Sequence, residues 1–192
     1  MNQKSQDKLK RRILYFTGFI FFVIIIRIFF FQIYVVSGNS MAPTLRNGDI
    51  VFVSKLGFPV TSEIFPWHFV YSKPSLNRLD IVIFEDQEGE ISLKRLVGEP
   101  HEYYELNFGK VMIESTILEE DYIPDGAETN EPSNEMAYKY PDSPFIEMSK
   151  SGRIPPGYYL LLGDNREYST DSRSFGFVPL SRLRGKVFAT IK

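Results

Sequence analysis

Residues 13 to 36 read ILYFTGFIFFVIIIRIFFFQIYVV, a run almost without polar side chains. As one continuous helix it would extend about 36 Å at about 1.5 Å per residue. A bilayer hydrocarbon core is about 30 Å thick. Arg27 interrupts the run and would be costly at the bilayer centre, but it lies in the second half, where a long side chain can snorkel to the far interface. The expected division is therefore a single transmembrane helix over about residues 9 to 29, with the extended stretch FQIYVV behind it. Ahead of the run stand Lys4, Lys8, Lys10, Arg11 and Arg12 against Asp7 alone. That charge bias puts residues 1 to 12 in the cytoplasm and everything past residue 36 on the other side of the cytoplasmic membrane. A cleaved export signal would share the charge and the greasy run, but no Ala-x-Ala-like site follows it, which favours an uncleaved anchor.

The remaining residues, 37 to 192, suffice for one domain with a sizeable core. They carry sixteen bases against twenty-three acids, a balance that argues against a nucleic-acid partner. There is no cysteine, so disulfides, thiolate metal sites and thiol catalysis are excluded, and no metal or cofactor is expected. Asn47-Gly48 opens a strand over residues 50 to 55. Further strands are expected at 80 to 86, 91 to 97, 158 to 165 and 186 to 190, and short helices near 41 to 45 and 179 to 183. Residues 56 to 77, which include IFPWHFVY, read either as a surface loop whose rings pack back on the core or as an interfacial anchor. Residues 100 to 157 read as an irregular inserted β-region, with a polar loop at DGAETNEPSNEMAYKYPDS. The class is mainly β.

Two chemistries are open. His68 and His101 formally permit a Ser-His-Asp arrangement, though neither sits in a motif. A lysine could instead serve as the base if burial lowers its pKa from the usual value of about 10.4. Lys94 in ISLKRLV lies among Leu93, Leu96 and Val97. Alternation puts it on one strand face with Ser92 and Leu96, and Leu93, Arg95 and Val97 on the other. The plain alternative for a strand lysine is an exposed edge residue.

Three stretches stand out together: SGNSMAPTL (37 to 45), LKRLVG (93 to 98) and LLGDNREYSTDSRSFGFVP (161 to 179). With the strand DIVIF and the greasy segment, they resemble, in order, the anchor and four boxes of the bacterial type I signal peptidases. The resemblance is good over 27 to 99 and 158 to 188 and poor over 100 to 157. It implies a β-rich catalytic core (37 to 99 and 158 to 192) with a small inserted β-cap (100 to 157), acting on the signal peptides of exported preproteins at the membrane lipid surface. By position, Ser40 would be the nucleophile and Lys94 the general base, with Ser169 hydrogen-bonding the lysine amine. Arg95 with Asp164, and Asp171 with Arg173, would be supporting ion pairs. Gly38, Asn39 and Met41 would border a shallow site for small side chains at the −1 and −3 positions. The sequence departs from the family in three places. Gly38 lacks a hydroxyl that some members use as an oxyanion donor, so Ser37 or a second backbone N–H would have to substitute. Leu79 replaces the usual glycine of the DIVIF box, and His101-Glu102 replaces Gly-Asp. A catalytically dead tethered binding protein and a self-cleaving Ser-Lys regulator are rival readings. The intact Ser40, Lys94 and Ser169 set speaks against the first, and the lack of a DNA-binding module against the second.

Overall fold

The structure is a computed structural model that describes residues 3–59, 74–130, 145, 148 and 150–192. His68, the IFPWHFVY stretch and most of the polar loop expected after residue 125 lie outside the described residues. Helix α1 (Gln3–Phe29) runs almost directly into strand β1 (Phe31–Val35). Among the described residues no helix is long and apolar enough to cross a membrane. The basic residues Lys8, Lys10, Arg11, Arg12 and Arg27 lie within α1 itself, so the greasy run does not stand as a helix apart from its charged flank. Large apolar side chains of α1, including Leu14, Phe16, Phe19, Phe21 and Ile24, are exposed.

After β1 come β2 (Ile50–Ser54), β3 (Ile81–Glu85), β4 (Ile91–Gly98), β5 (Tyr103–Asn107), β6 (Lys110–Ile113), β7 (Thr116–Ile117), β8 (Ser151–Arg153), β9 (Tyr158–Leu162), helix α2 (Ser172–Phe175), β10 (Val178–Pro179) and β11 (Leu183–Ile191). Seven strands form one antiparallel sheet in the order β1-β2-β11-β3-β4-β9-β10, and four form a second in the order β7-β6-β5-β8. The last strand of the chain therefore inserts between β2 and β3 and closes the larger sheet. Gly185 permits that insertion, because a Cβ there would lie 2.4 Å from Val53 Cγ1 and 2.8 Å from the Ser54 carbonyl oxygen.

The larger sheet is buried on both faces where it carries the site. Leu160, Leu161 and Leu162 of β9 are all fully buried. Leu161 joins Val82, Phe84, Leu96 and Phe175 on one face. Leu160 and Leu162 join Val97, Tyr104, Leu106, Val111 and Ile154 on the other, which is where the small sheet docks. Two-sided burial explains why YYLLL reads as a continuous apolar run. Each leucine contributes about 2 kcal/mol of transfer free energy. In the small sheet, the β5–β6 hairpin turns at Phe108 (φ 51°) and Gly109 (φ 68°). Positive φ at both central residues is the turn that matches the strand twist.

The helices differ from expectation. Residues 40 to 44 make turns, because Pro43 has no N–H to give and disfavours helical backbone at Ala42. Near 179 to 183 only the 3-10 turn Leu180–Arg182 forms. Helix α2 has four residues, too few to show a period. It is capped by Asp171, whose side chain accepts from the Arg173 N–H.

Candidate active site

Ser40 stands in the loop from β1 to β2. Strand pairing closes that loop at its base, with the Val36 N–H on Asp49 O (2.8 Å) and the Gly48 N–H on Val36 O (2.9 Å). Gly38 has φ +85° and donates its N–H to Asn47 Oδ1 (3.1 Å). A left-handed residue costs a glycine nothing, and here it turns the chain back over the sheet. Met41 and Leu45 are each 1% exposed and pack with Val51, Val53 and Ile83. The residue following the serine is thus a plug in the core. Met41 anchors the loop and does not offer open surface to a peptide, in contrast to its expected place at the border of the substrate site. On the other flank Asn165 locks the loop from above. Its N–H donates to Ser40 O and its Nδ2 to Asn39 O, both at 3.0 Å.

Lys94 reaches Ser40 from β4. This strand lies between β3 and β9, so Lys94 is not an edge residue, and it is 5% exposed. Its Nζ lies 3.0 Å from Ser40 Oγ and donates to Leu93 O at 2.9 Å. Burial holds the lysine pKa below its ordinary value, against the opposing pull of Asp171, Asp164 and Asp86. An amine that has lost its proton has a lone pair to accept one from a neighbouring hydroxyl.

Arg95, on the opposite strand face, makes a bidentate pair with the fully buried Asp164, Nε to Oδ1 at 2.8 Å and Nη2 to Oδ2 at 2.6 Å. Its Nη1 holds Leu79 O (2.8 Å), and the Tyr122 ring lies 3.8 Å from its Cζ. Asp171 is held by Arg173 (2.9 and 2.7 Å) and by the Gly163 N–H (3.0 Å). Burial raises the Asp171 pKa, but Arg173 and the backbone N–H groups of Gly163 and Arg173 outweigh it and keep the carboxyl below its ordinary range. The two pairs brace the segment after β9 from either end.

The structure brings Ser169 beside this cluster but gives it no bond to the lysine. Its Oγ is buried and has no hydrogen-bond partner among the described residues, because the Lys94 amine is turned to Ser40 and Leu93. A Cβ built on Gly163 would meet Ser169 Oγ at 2.0 Å and Ser40 O at 2.6 Å, so both serines press on one glycine. His101 is exposed at a turn of the small sheet, its N–H on Ile154 O and its carbonyl on Arg153. No hydrogen bond joins it to Ser40. Leu79 (φ 70°) and His101 (φ 73°) occupy left-handed backbone. The turns expected of glycine are kept without it, pinned by the Leu79 N–H on Leu96 O and the His101 N–H on Ile154 O.

Several residues of the site escaped sequence reasoning. Arg166 has a fully buried side chain. It binds Glu120 (Nη2 to Oε1, 2.5 Å), the Thr129 hydroxyl and Gly163 O (3.0 Å). Together with Tyr122 on Arg95, it fastens residues 120 to 129 to the serine-bearing core. Burial and then Glu120 raise the Tyr122 pKa, which keeps that ring neutral. The available signal was indirect: an arginine among so many buried positions requires an acid partner, but nothing marked Glu120 among the acids.

The family model described as signal peptidase, peptidase S26, matches residues 9–191. The chain is 31% identical over 191 residues to a signal peptidase I of Bacillus caldolyticus, covering 96% of this chain and 91% of that protein. It is 30% identical over 155 residues to signal peptidase IB of Staphylococcus aureus (strain N315), covering 80% of this chain and 74% of that one. A crystal structure of a signal peptidase I from Enterococcus faecalis V583 aligns with a TM-score of 0.47 and 29% identity, over 60% of this chain and 98% of that one.

Proposed function

This chain belongs to the signal peptidase family, peptidase S26, and is a serine peptidase hydrolase; from that premise we propose that Ser40 and Lys94 are its catalytic dyad. The single observation that carries the reading is the 3.0 Å approach of a buried lysine amine to the Ser40 hydroxyl. Neutral Lys94 takes the Ser40 proton as Oγ attacks the scissile carbonyl carbon. It returns that proton to the departing amine as the C–N bond breaks, leaving an acyl-enzyme. Lys94 then takes a proton from water as the water oxygen attacks the ester carbon, and passes it to Ser40 Oγ as the acyl C–O bond breaks, which releases the acid product and restores neutral Lys94 and the Ser40 hydroxyl. The Ser40 N–H donates to no acceptor among the described residues and is one donor to the oxyanion. The Gly38 N–H is occupied by Asn47, so the second donor lies elsewhere, with the exposed Ser37 hydroxyl the nearest candidate in sequence. Ser169, buried and unpartnered next to Gly163, is the hydroxyl available to orient the lysine amine.

The substrates are signal peptides of exported preproteins, and the apolar part of α1 holds the protein at the membrane. Two features support that placement. The apolar side chains of α1 are exposed. So are Phe31, Ile33, Val35 and Phe188 on the sheet face directly after it, where Phe31 and Phe188 meet edge-on at 5.7 Å. A continuous apolar surface of this kind belongs in lipid rather than water. Purified full-length protein in detergent is to be incubated with a preprotein, beside Ser40→Ala. Loss of cleavage with unchanged thermal unfolding is expected, and normal turnover by Ser40→Ala would overturn the assignment.

A further inference from the structure

Beside the Ser40 loop there is an opening whose chemistry differs from that of the loop. A cleft of about 300 Å³ is lined by Ala42, Pro124, Asp125, Ala127, Asn165 and Glu167 among others. One wall is the serine loop itself, since Ala42 is two residues past Ser40, and Asn165 is bonded to Ser40 O and Asn39 O. The other wall is the turn at residues 124 to 127, closed by the Ala127 N–H on Pro124 O (3.1 Å). Buried Arg166 fixes the two walls together through Glu120, Thr129 and Gly163 O. The cleft is thus a built feature of the fold.

The lining is polar and carries a net negative charge. The Asp164 carboxylate is matched by Arg95 and the Arg166 guanidinium by Glu120. Asp125 and Glu167 are exposed, and neither has an ion pair among the described residues. Small apolar side chains on the signal side of a scissile bond do not call for such a wall. The cleft also lies after β9, toward the opposite end of the sheet from the β1 edge that bears α1. A peptide that comes from the membrane end and passes Ser40 would leave in this direction. Ala42 is two residues from Ser40 and residues 40 to 44 make turns, so the cleft that Ala42 lines opens close to Ser40, next to the path of the first residues after the cleaved bond.

We propose that this cleft receives the first residues of the mature protein, and that Asp125 and Glu167 make it favour basic over acidic side chains at the second and third mature positions. The inference rests on Ser40 as the nucleophile. Each exposed charge pair is weak, but attraction for lysine and repulsion for glutamate act together. A preference of roughly five- to tenfold in kcat/KM is expected, falling as salt is raised.

The test uses full-length protein in detergent and three preproteins identical on the signal side, with Lys, Ala or Glu at mature positions two and three. Wild type should rank Lys above Ala above Glu. The double variant Asp125→Asn/Glu167→Gln should bring the Lys-to-Glu ratio close to one, and Asp125→Lys/Glu167→Lys should invert it. A ratio near one in wild type, or one that is unchanged in both double variants, overturns the inference while leaving the Ser40 reading intact, provided that Ser40→Ala abolishes cleavage of the Ala substrate. Cleavage that survives Ser40→Ala overturns both.

Discussion

A methyl group added at Gly163 has no free space to enter. Its ideal position lies 2.0 Å from Ser169 Oγ, 2.5 Å from Ser169 Cβ and 2.6 Å from Ser40 O. The glycine cannot easily slide away, because its N–H is held by buried Asp171 and its carbonyl by Arg166. Its backbone is not in the left-handed region, so the cost of Gly163→Ala is steric alone. Ordinary contact begins near 3.4 Å, so the Ser40 carbonyl must retreat by about 0.8 Å, against its bond from the Asn165 N–H. That shift moves Ser40 Oγ relative to Lys94 Nζ. A misplacement of about 1 Å costs on the order of 10²-fold in rate, and overpacking of this kind costs about 1–3 kcal/mol in stability. Gly163→Ala should therefore lower kcat on a preprotein by on the order of 10²-fold while remaining folded in a thermal melt. Gly163→Ala/Ser169→Gly removes both contacts with Ser169 and leaves the one with Ser40. It should regain part of the stability and little of the rate. Gly163→Ala with kcat within threefold of wild type would refute the reasoning, since Gly163 would then not fix the position of Ser40.

The lysine pKa and the buried ion pair give two further expectations. Burial lowers the Lys94 pKa, and under the proposed mechanism its neutral amine is the base, so kcat/KM should rise with pH through a value below the ordinary lysine range. Lys94→Arg, which stays charged, should lose at least about 10²-fold at every pH. A flat pH profile, or an active arginine variant, would exclude Lys94 as the base. Asp164→Ala should cost about 3–5 kcal/mol in urea unfolding, because it strands the Arg95 guanidinium in the core. A loss under about 1 kcal/mol would mean the pair is solvated.

The core strands were legible because each of them pairs a period or an apolar run with a turn signal. ISLK alternates, while DIVIF and YYLLL are continuous apolar runs, with Val82, Ile83 and Phe84 buried in succession as Leu160, Leu161 and Leu162 are. The serine loop was legible as a motif, but its geometry was not. Nothing in SGNSMAPTL says that Met41 points into the core, since a methionine beside a serine in a small-residue loop reads equally well as a substrate contact. Leu79 and His101 looked like threats to two turns. The structure keeps both in the left-handed region, where hydrogen bonds fix the backbone and the missing glycine is replaced by strain of about 1–3 kcal/mol at each position.

The region from 100 to 157 was opaque for a different reason. Its contacts are polar, long-range and made by residue types that a solvated loop also uses. Glu120 lies 46 residues from Arg166, and the Tyr122 ring, also far along the chain, lies against the Arg95 guanidinium. Hydrophobic periodicity cannot report such contacts. What does report them is the accounting of buried charge. The Arg95 and Arg166 side chains are buried and that of Arg173 is largely covered, and three guanidiniums packed so close to the core require three carboxylates with matched geometry. Asp164 and Asp171 lie within the same box as two of the answers. The third had to come from outside it, and that requirement ties the inserted segment to the loop after β9. The segment that resembled the family least is therefore held in place by the box that resembled it most. The cleft beside Ser40 exists because of that attachment, and its acidic wall, formed by Asp125 and Glu167, is drawn from both partners in it.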